Sequence, residues 1–307
     1  MGISLTLHSS GTAQKRAAPQ FYVSDQEILM ATITPRVPKI DWSKNFDRHW
    51  NGGNAGVTHA FNALSFLFPQ GERFFIDVVR EVVQSANISN DPELSQAVKR
   101  FIAQESIHTQ QHIHYNAILQ SQGFENVVYD YIERLEAHGN KLFSPLTKLA
   151  VVCAYEHYTA ILGNFILRNP KALAAASPDM ALVWGWHSAE ETEHKAVCFD
   201  LYQAAGGGWL HRVLIFFPVS LNFILIFARL YLSLLHRDGC LSPSRFFGTA
   251  VQSLRFFFGR SGIAWHMLWH GFWYLSPMFH PWNQDNRSEL HSWLLENQER
   301  FRCVGEP

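Results

Sequence analysis

Apolar residues recur every three or four positions along most of this chain, which is the period of an amphipathic helix. No segment alternates apolar and polar residues over a length that would predict a sheet. Helices are predicted to begin where a capping side chain precedes a proline of the first helical turn, at Asn90-Asp91-Pro92, Ser144-Pro145 and Ser177-Pro178. The sequence therefore predicts an all-α protein.

Glycine, asparagine and proline clusters divide the helical pattern into long helices with short connections, which is typical of a four-helix bundle. Pro69 is predicted to end a short helix, so the first bundle helix is expected to begin after it. The predicted helices are 70–86, 92–122, 145–169 and 178–206 in the bundle, with a crossover helix over 125–137.

Composition divides the chain into three regions. Residues 1–40 are polar and unpatterned and predict an N-terminal tail, 41–208 hold the bundle, and 209–307 are expected to supply accessory helices that pack on it. Within the last region, Val213–Leu235 is apolar over a length that suits a membrane span. Its insertion into a bilayer is opposed by Pro218, Asn222 and Arg229. We therefore expect an accessory helix, and the alternative is contact of one helix face with a membrane surface.

Two of the predicted bundle helices each carry a Glu-x-x-His pair, and the other two each carry a single glutamate. The pairs are Glu105–His108 and Glu191–His194, and the single carboxylates are Glu72 and Glu156. A glutamate and a histidine three residues apart lie on one helix face, so both can bind one metal ion. The order Glu, Glu-x-x-His, Glu, Glu-x-x-His is the ligand set of dinuclear carboxylate centres in helical bundles.

The surroundings of Glu156 support a buried metal centre. Apolar residues flank it on both sides, and a carboxylate buried among them costs several kcal/mol unless it is paired or bound to metal. Two divalent cations would balance four carboxylates in charge. Oxygen and imidazole donors without a thiolate favour iron or manganese over structural zinc. We therefore predict two iron ions, with manganese as the alternative.

A single Glu-x-x-His on a helix is ordinary, and only its repetition in this order predicts a dinuclear site. Two assignments have alternatives. Glu190 and Glu191 could each reach a metal beside His194, and Glu191 repeats the spacing of the first pair. Glu72 lies close to a Pro-Gly break, and Glu81 is the alternative to it.

Further side chains on these helix faces are candidate catalytic residues, namely His112, Thr159 and His187. His112 is interpreted as a ligand, a proton relay or a core histidine. His157 projects about 100° away from Glu156 and is expected to support the site or the core. Asp200, six residues beyond His194, could orient a ligand imidazole.

Composition excludes some classes of function. The formal net charge of −1 gives no electrostatic footprint for nucleic acid. The four cysteines are scattered without a C-x-x-C spacing, which favours a reducing, cytoplasmic compartment over a disulfide framework. Membrane association is the alternative localisation, through the apolar segment.

The chain resembles the family of predicted metal-dependent hydrolases. The resemblance is carried by NALSFLFPQGERFF, DPELSQAVKRFIAQESIHTQQHIHYN, LAVVCAYEHYTA, WGWHSAEETEHKAVCFDLY and FHPWN, which span roughly residues 57–283. It implies a ferritin-like four-helix bundle with accessory helices, including an apolar C-terminal helix.

The last motif is also similar to that of di-iron N-oxygenases that oxidise aryl amines. Those enzymes use His-x-x-x-Glu-x-x-His, and this chain places His187 one helical turn before Glu191. This resemblance implies that His187 is a seventh ligand.

Three functions follow from these patterns. The leading hypothesis is an oxygen-activating di-iron enzyme that oxidises an apolar or aromatic small molecule with an external electron donor. The alternative is a two-metal hydrolase of an ester, amide or phosphoester. The third is an iron-binding protein without catalysis. A homodimer is compatible with each of them.

Overall fold

A computed structural model describes residues 33–85 and 91–304. Over these residues the chain forms ten α-helices and two short strands. The helices are α1 (Ala55–Ser85), α2 (Pro92–Ser121), α3 (Tyr129–Leu142), α4 (Pro145–Arg168), α5 (Pro178–His194), α6 (Val197–Ala204), α7 (Trp209–Arg237), α8 (Pro243–Phe258), α9 (Ile263–Tyr274) and α10 (Arg287–Asn297). The strands are β1 (Arg36–Pro38) and β2 (Phe301–Cys303). The predicted all-α helical bundle is confirmed.

Helix α1 is continuous through Pro69, so the prediction that this proline ends a helix is wrong. Proline has no N–H to donate to the carbonyl four residues earlier, which is that of Ser65. The side chain of Asn116 on α2 donates to this carbonyl instead, at 2.9 Å. The neighbouring helix thus satisfies the acceptor that proline leaves free, and α1 continues into the segment that carries Glu72.

Helices α2, α4 and α5 begin at the predicted prolines, and two of the three predicted caps form, since the side chain of Ser177 accepts no backbone hydrogen bond from the described residues at the start of α5. Asp91 accepts a hydrogen bond from the N–H of Leu94 at 2.9 Å and caps α2. Ser144 caps α4 by accepting from the N–H of Thr147 at 3.2 Å. The predicted fourth helix is interrupted after His194, and α6 continues from Val197. The crossover helix α3 begins a few residues later than predicted.

The bundle consists of α1, α2, α4 and α5, in which α1 lies against α2 and α4, and α5 lies against both of them. One apolar cluster forms around Phe61, Tyr115 and Trp184. A second forms around Val79 and Phe101, with other residues of α1, α2, α4 and α6. On α1, α2 and α4, the candidate ligands lie between the stretches that enter these two clusters. They therefore sit in a polar layer between two apolar ends.

Residues 33–40 do not form the predicted tail, and residues 1–32 lie outside the described part of the chain. Strand β1 pairs antiparallel with β2, with Val37 opposite Arg302. Arg36 is buried and donates to both carboxylate oxygens of Glu193 on α5, at 2.9 Å and 2.8 Å. A buried ion pair fixes this segment, and no helical spacing could have indicated it.

Within the part of the chain that the structure describes, two helices are long and apolar enough to cross a membrane by length and composition, namely Pro145–Arg168 and Trp209–Arg237. The first is α4, and 72% of its most apolar window is buried. The second is α7, whose corresponding window is only 22% buried. Helix α7 packs on α1 and α4 as expected of an accessory helix, yet most of its apolar surface remains exposed.

Gly163 allows the close approach of α4 and α5. A Cβ there would lie 2.9 Å from the carbonyl oxygen of Ser188 and 3.5 Å from Cβ of Glu191. Gly163→Ala is expected to lower the free energy of unfolding by about 1–3 kcal/mol through overpacking. The control is Gly248→Ala on α8, where an added Cβ meets nothing within 4 Å. It should be neutral or stabilising by up to about 1 kcal/mol, because alanine favours helix. Equal thermal unfolding of the two variants would contradict this role of Gly163.

Candidate metal centre

The seven predicted metal ligands converge in the polar layer of the bundle. Each is at most 3% exposed. Their donor atoms form overlapping groups of three that lie within 4.8 Å of one another. These predicted ligands are Glu72, Glu105, His108, Glu156, His187, Glu191 and His194.

The predicted ligands form two neighbouring groups, each a candidate metal position, that share two carboxylates. Oε1 of Glu191 lies 3.0 Å from Nε2 of His187, and its other oxygen lies 3.3 Å from Nε2 of His194. Glu105 belongs to one group with Glu72 and His108, and to another with Glu156 and His194. Such an arrangement suits two ions bridged by carboxylates, as in dinuclear bundle centres.

The hydrogen bonding of these side chains tests whether they suit a metal. Within the described residues, Oε1 of Glu72 and both carboxylate oxygens of Glu105 and Glu156 form no well-directed hydrogen bond. The same holds for Nδ1 of His108 and Nε2 of His187. Buried carboxylate oxygens without partners cost several kcal/mol. Divalent cations satisfy oxygen and imidazole donors of this kind, so the donor set fits the predicted metals.

The protonation of the metal-free cluster follows from its burial. Burial raises the pKa of Glu72 well above its ordinary value, and the neighbouring charge of Glu105 adds to this. Burial also raises the pKa of Glu156, together with the charge of Glu191. In His108, burial is outweighed by hydrogen bonds to carboxylates, so its pKa is raised. In the absence of metal, protons therefore balance part of the negative charge.

Two of the imidazoles are held so that one ring nitrogen faces the other ligands. Nε2 of His108 lies 3.1 Å from Oε2 of Glu190, which leaves Nδ1 on the side of Glu105. Nδ1 of His194 lies 3.0 Å from Oε1 of Gln104, which leaves Nε2 toward the carboxylates. Partners of this kind fix the tautomer and orientation of a ligand histidine. Glu191 therefore lies beside the other predicted ligands, whereas Glu190 lies behind His108.

A chain of hydrogen bonds also fixes the tautomer of His187. The hydroxyl of Ser65 donates to Oδ1 of Asn116 at 2.8 Å, so its oxygen accepts from Nδ1 of His112, 2.9 Å away. Nε2 of His112 then accepts from Nδ1 of His187, at 3.0 Å. Nε2 of His187 is thereby left unprotonated toward Glu191. Burial lowers the pKa of both histidines, which agrees with neutral rings.

Sequence reasoning missed a supporting network on the far side of His194. The side chain of Gln104 donates to Oε2 of Glu193 at 2.8 Å, and Glu193 is bound in turn by Arg36. Gln104 directly precedes the ligand Glu105, and Glu193 directly precedes the ligand His194. Because Gln104 and Glu193 are sequence neighbours of predicted ligands, the sequence could have indicated that they support the site. Arg36 is far from these residues in the chain, so nothing in the sequence indicated its role.

Other candidate residues lie outside the cluster. Thr159 is half-buried and its hydroxyl donates to the backbone oxygen of Glu156 at 3.0 Å. Asp200, which could have oriented a ligand imidazole, instead pairs with His280 at 3.0 Å on a half-exposed surface. Glu81 forms an ion pair with Lys148 and is not a ligand alternative to Glu72.

A small cavity of about 20 Å³ lies beside the cluster, and Glu156 and His157 line it. It has room for one water-sized molecule. Further lining residues are Asn164, Lys195, Tyr274 and Phe279.

The ammonium group of Lys195 donates to Gln284 O and Asn286 Oδ1, and burial lowers its pKa to about 7. Nε2 of His157 donates to the carbonyl oxygen of His270, 3.0 Å away. Within the described residues, His157 forms no hydrogen bond with a predicted ligand.

The family model for predicted metal-dependent hydrolases matches residues 34–285 of the chain. This range includes all seven predicted ligands and most of the chain, so the chain belongs to this family. No curated protein and no solved structure is detectably similar to it.

Metal content tests the ligand set. The protein is expected to bind about two divalent transition-metal ions per chain, as in other bundles with this set. Glu105→Ala and Glu191→Ala should each lower this stoichiometry sharply, because each removes a carboxylate that both positions share. Glu81→Ala is the control, since this carboxylate lies on the same helix as Glu72 but outside the cluster. Elemental analysis would contradict the assignment if all the variants kept the same metal content.

Metal affinity should rise with pH. The pKa of Glu72, Glu156 and His108 is raised in the metal-free cluster, so these groups release protons when they bind metal. Affinity is therefore expected to fall as the pH is lowered toward and below these raised pKa values. Calorimetry in buffers of different ionisation enthalpy measures the released protons, and Glu72→Gln should release fewer. Metal binding without proton release would contradict the prediction.

Proposed function

We propose that this member of the family is a hydrolase whose catalytic centre holds two metal ions between α1, α2, α4 and α5. The proposal rests on one observation, the convergence of buried carboxylate and imidazole groups, several of whose oxygen and nitrogen atoms form no well-directed hydrogen bond within the described residues. Bound metals at such a centre would lower the pKa of a water molecule and polarise the bond to be cleaved. The proposed substrate is a small ester, amide or phosphoester.

The protein's own contribution is to hold the ligands in place and to keep their surroundings dry. Glu190 and Gln104 orient His108 and His194. The bidentate pair of Arg36 with Glu193 supports Gln104 and introduces a positive charge behind the ligands without touching them. The aromatic clusters at both ends of the polar layer exclude bulk water, which strengthens electrostatic interactions at the centre.

Lys195 is the observation that favours hydrolysis. It lines the same cavity as Glu156, donates to Gln284 and Asn286, and places its ammonium nitrogen 4.0 Å from the centre of the Trp282 ring. A cation at this place would stabilise negative charge that develops on a leaving group or on an oxygen of the substrate.

The second candidate is oxidation of an apolar small molecule by O₂ at a di-iron centre, and His187 favours it. This third imidazole packs flat against Phe68, with ring centroids 4.7 Å apart. An additional neutral nitrogen donor suits iron whose redox properties are tuned by its ligands. No lysine or arginine of the described residues forms an ion pair with the seven predicted ligands, and the rings of Phe68 and Phe101 pack against His187 and His194.

Activity of two lysine variants tests the hydrolase proposal. The metal-loaded protein should cleave nitrophenyl esters or phosphoesters, and Lys195→Met should lower kcat/KM by about a hundred-fold, as loss of a charge-stabilising donor does. Its metal content should not change. Lys148→Met is the matched control, because both lysines are 6% exposed but Lys148 pairs with Glu81 away from the cavity.

Oxygen uptake separates the two candidates. Protein loaded with ferrous iron without air is mixed with O₂, and consumption and visible absorption are recorded. Hydrolysis that depends on Lys195, with no oxygen uptake, supports the proposal. Stoichiometric oxygen consumption that His187→Ala abolishes, in a protein that cleaves none of the esters, would replace hydrolysis by the second candidate.

A further inference from the structure

Helix α7 exposes an apolar stripe to the outside of the protein. Exposed apolar residues follow at intervals of three and four from Leu210 to Leu225, and Arg229 lies between Leu225 and Leu232; the exposure of the apolar residues is between 52% and 60%. They include Leu210, Leu214, Phe217, Leu221, Leu225 and Leu232. From Leu210 to Leu232 the stripe is about 33 Å long at the rise of an α-helix. The outward face of a helix on a water-soluble bundle is ordinarily polar, so this stripe indicates a surface that another apolar phase covers.

Helices α8 and α9 extend the stripe into a wider surface. Several aromatic side chains on these two helices point outward, and each is more than half exposed. They include Phe247, Phe258, Trp265, Trp269, Phe272 and Trp273. The rings of Phe227 and Phe257 join α7 to α8 at 6.0 Å, and those of Phe216 and Tyr274 join α7 to α9 at 4.6 Å. The exposed apolar residues of α7, α8 and α9 are called the apolar face below.

The charges along this region are almost all positive. Residues 209–282 contain six arginines, no lysine, no glutamate and a single aspartate. That aspartate, Asp238, is buried and bonded to Arg48 and His49. Arg229, Arg255 and Arg260 are exposed and form no ion pair within the described part of the chain. The region therefore presents free positive charge together with exposed tryptophan and phenylalanine.

We propose that the apolar face docks on the surface of a bilayer that contains anionic phospholipids. Tryptophan side chains favour the boundary between headgroups and acyl chains, and arginines near it are attracted to anionic headgroups. A second copy of the chain fits less well, because a two-fold interface through this face would bring the same arginines together. Helix α7 lies on the membrane and does not cross it, since Leu230 and Leu234 are fully buried in the apolar cluster shared with α1.

Docking in this way places lipid beside the cavity at the metal centre. Tyr274 and Phe279 line that cavity, and each directly follows an exposed residue of the same region, Trp273 and Met278. The bilayer would thus approach the protein on the side where the cavity lies next to Glu156.

Sedimentation of the full-length protein with vesicles tests the proposal without reference to catalysis. Phosphatidylcholine vesicles containing phosphatidylglycerol should carry the protein down, and vesicles of phosphatidylcholine alone should carry less. Phe247→Ser with Phe272→Ser should weaken binding about a hundred-fold, since each ring withdraws from lipid. The control pair is Val83→Ser with Leu295→Ser, exposed apolar residues of α1 and α10 outside the face. Thermal unfolding checks that both pairs fold.

Charge variants test the choice of lipid. Arg255→Gln and Arg260→Gln should each weaken binding to the anionic vesicles about five-fold and leave binding to phosphatidylcholine unchanged. Three results would overturn the proposal. One is that the protein ignores both vesicles. Another is that the phenylalanine variants convert a stable dimer into a monomer without changing vesicle binding. The third is that wild-type protein remains in vesicles after an alkaline carbonate wash, as a spanning helix would.

Discussion

The burial of four carboxylates and three imidazoles in one layer is the constraint on which the rest of this structure depends. Placed among apolar residues without partners, these groups would oppose folding by several kcal/mol each. The chain compensates in two ways. Glu190, Gln104 and His112 satisfy the outward nitrogens of the histidines. The inward oxygens are left for cations, and protons replace the cations when metal is absent. Metal binding is therefore expected to be coupled to the stability of the bundle.

The supporting shell links features that look unrelated along the chain. Pro69 leaves the carbonyl of Ser65 without its helical donor, and Asn116 takes the donor's place. Because the side-chain nitrogen of Asn116 donates to this carbonyl, its Oδ1 accepts a hydrogen bond from the hydroxyl of Ser65. The oxygen of Ser65 then accepts from His112, and this fixes the tautomer of His112 and, through it, that of His187. A proline inside α1 thus has a consequence at the metal centre, because it orients a side chain that fixes a tautomer.

The accessory helices relate the centre to its surroundings. Helices α7 and α9 pack on α4, which carries Glu156, and the segment after α9 closes the cavity beside it. Their inner faces complete the protein core, whereas their outer faces remain apolar, and the exposed Arg229 and Arg255 lie on α7 and the neighbouring α8. These helices therefore contact the bundle on one side and would contact the proposed membrane surface on the other.

The sequence by itself determined what depends on local periodicity. Helical spacing brought Glu105 and His108 onto one face, and capping residues marked the starts of α2 and α4. The repeated motif predicted six of the seven buried residues that meet in the bundle, and the resemblance of the last motif to that of the N-oxygenases implied the seventh, His187. Interactions between distant segments had no such signal. Only the tertiary structure decided that α1 passes through Pro69, that Arg36 reaches Glu193, that Lys195 lines the cavity and that Asp200 turns away to His280. A local pattern fixes the direction of a side chain from its own helix, whereas its partner is set by the way the helices pack together.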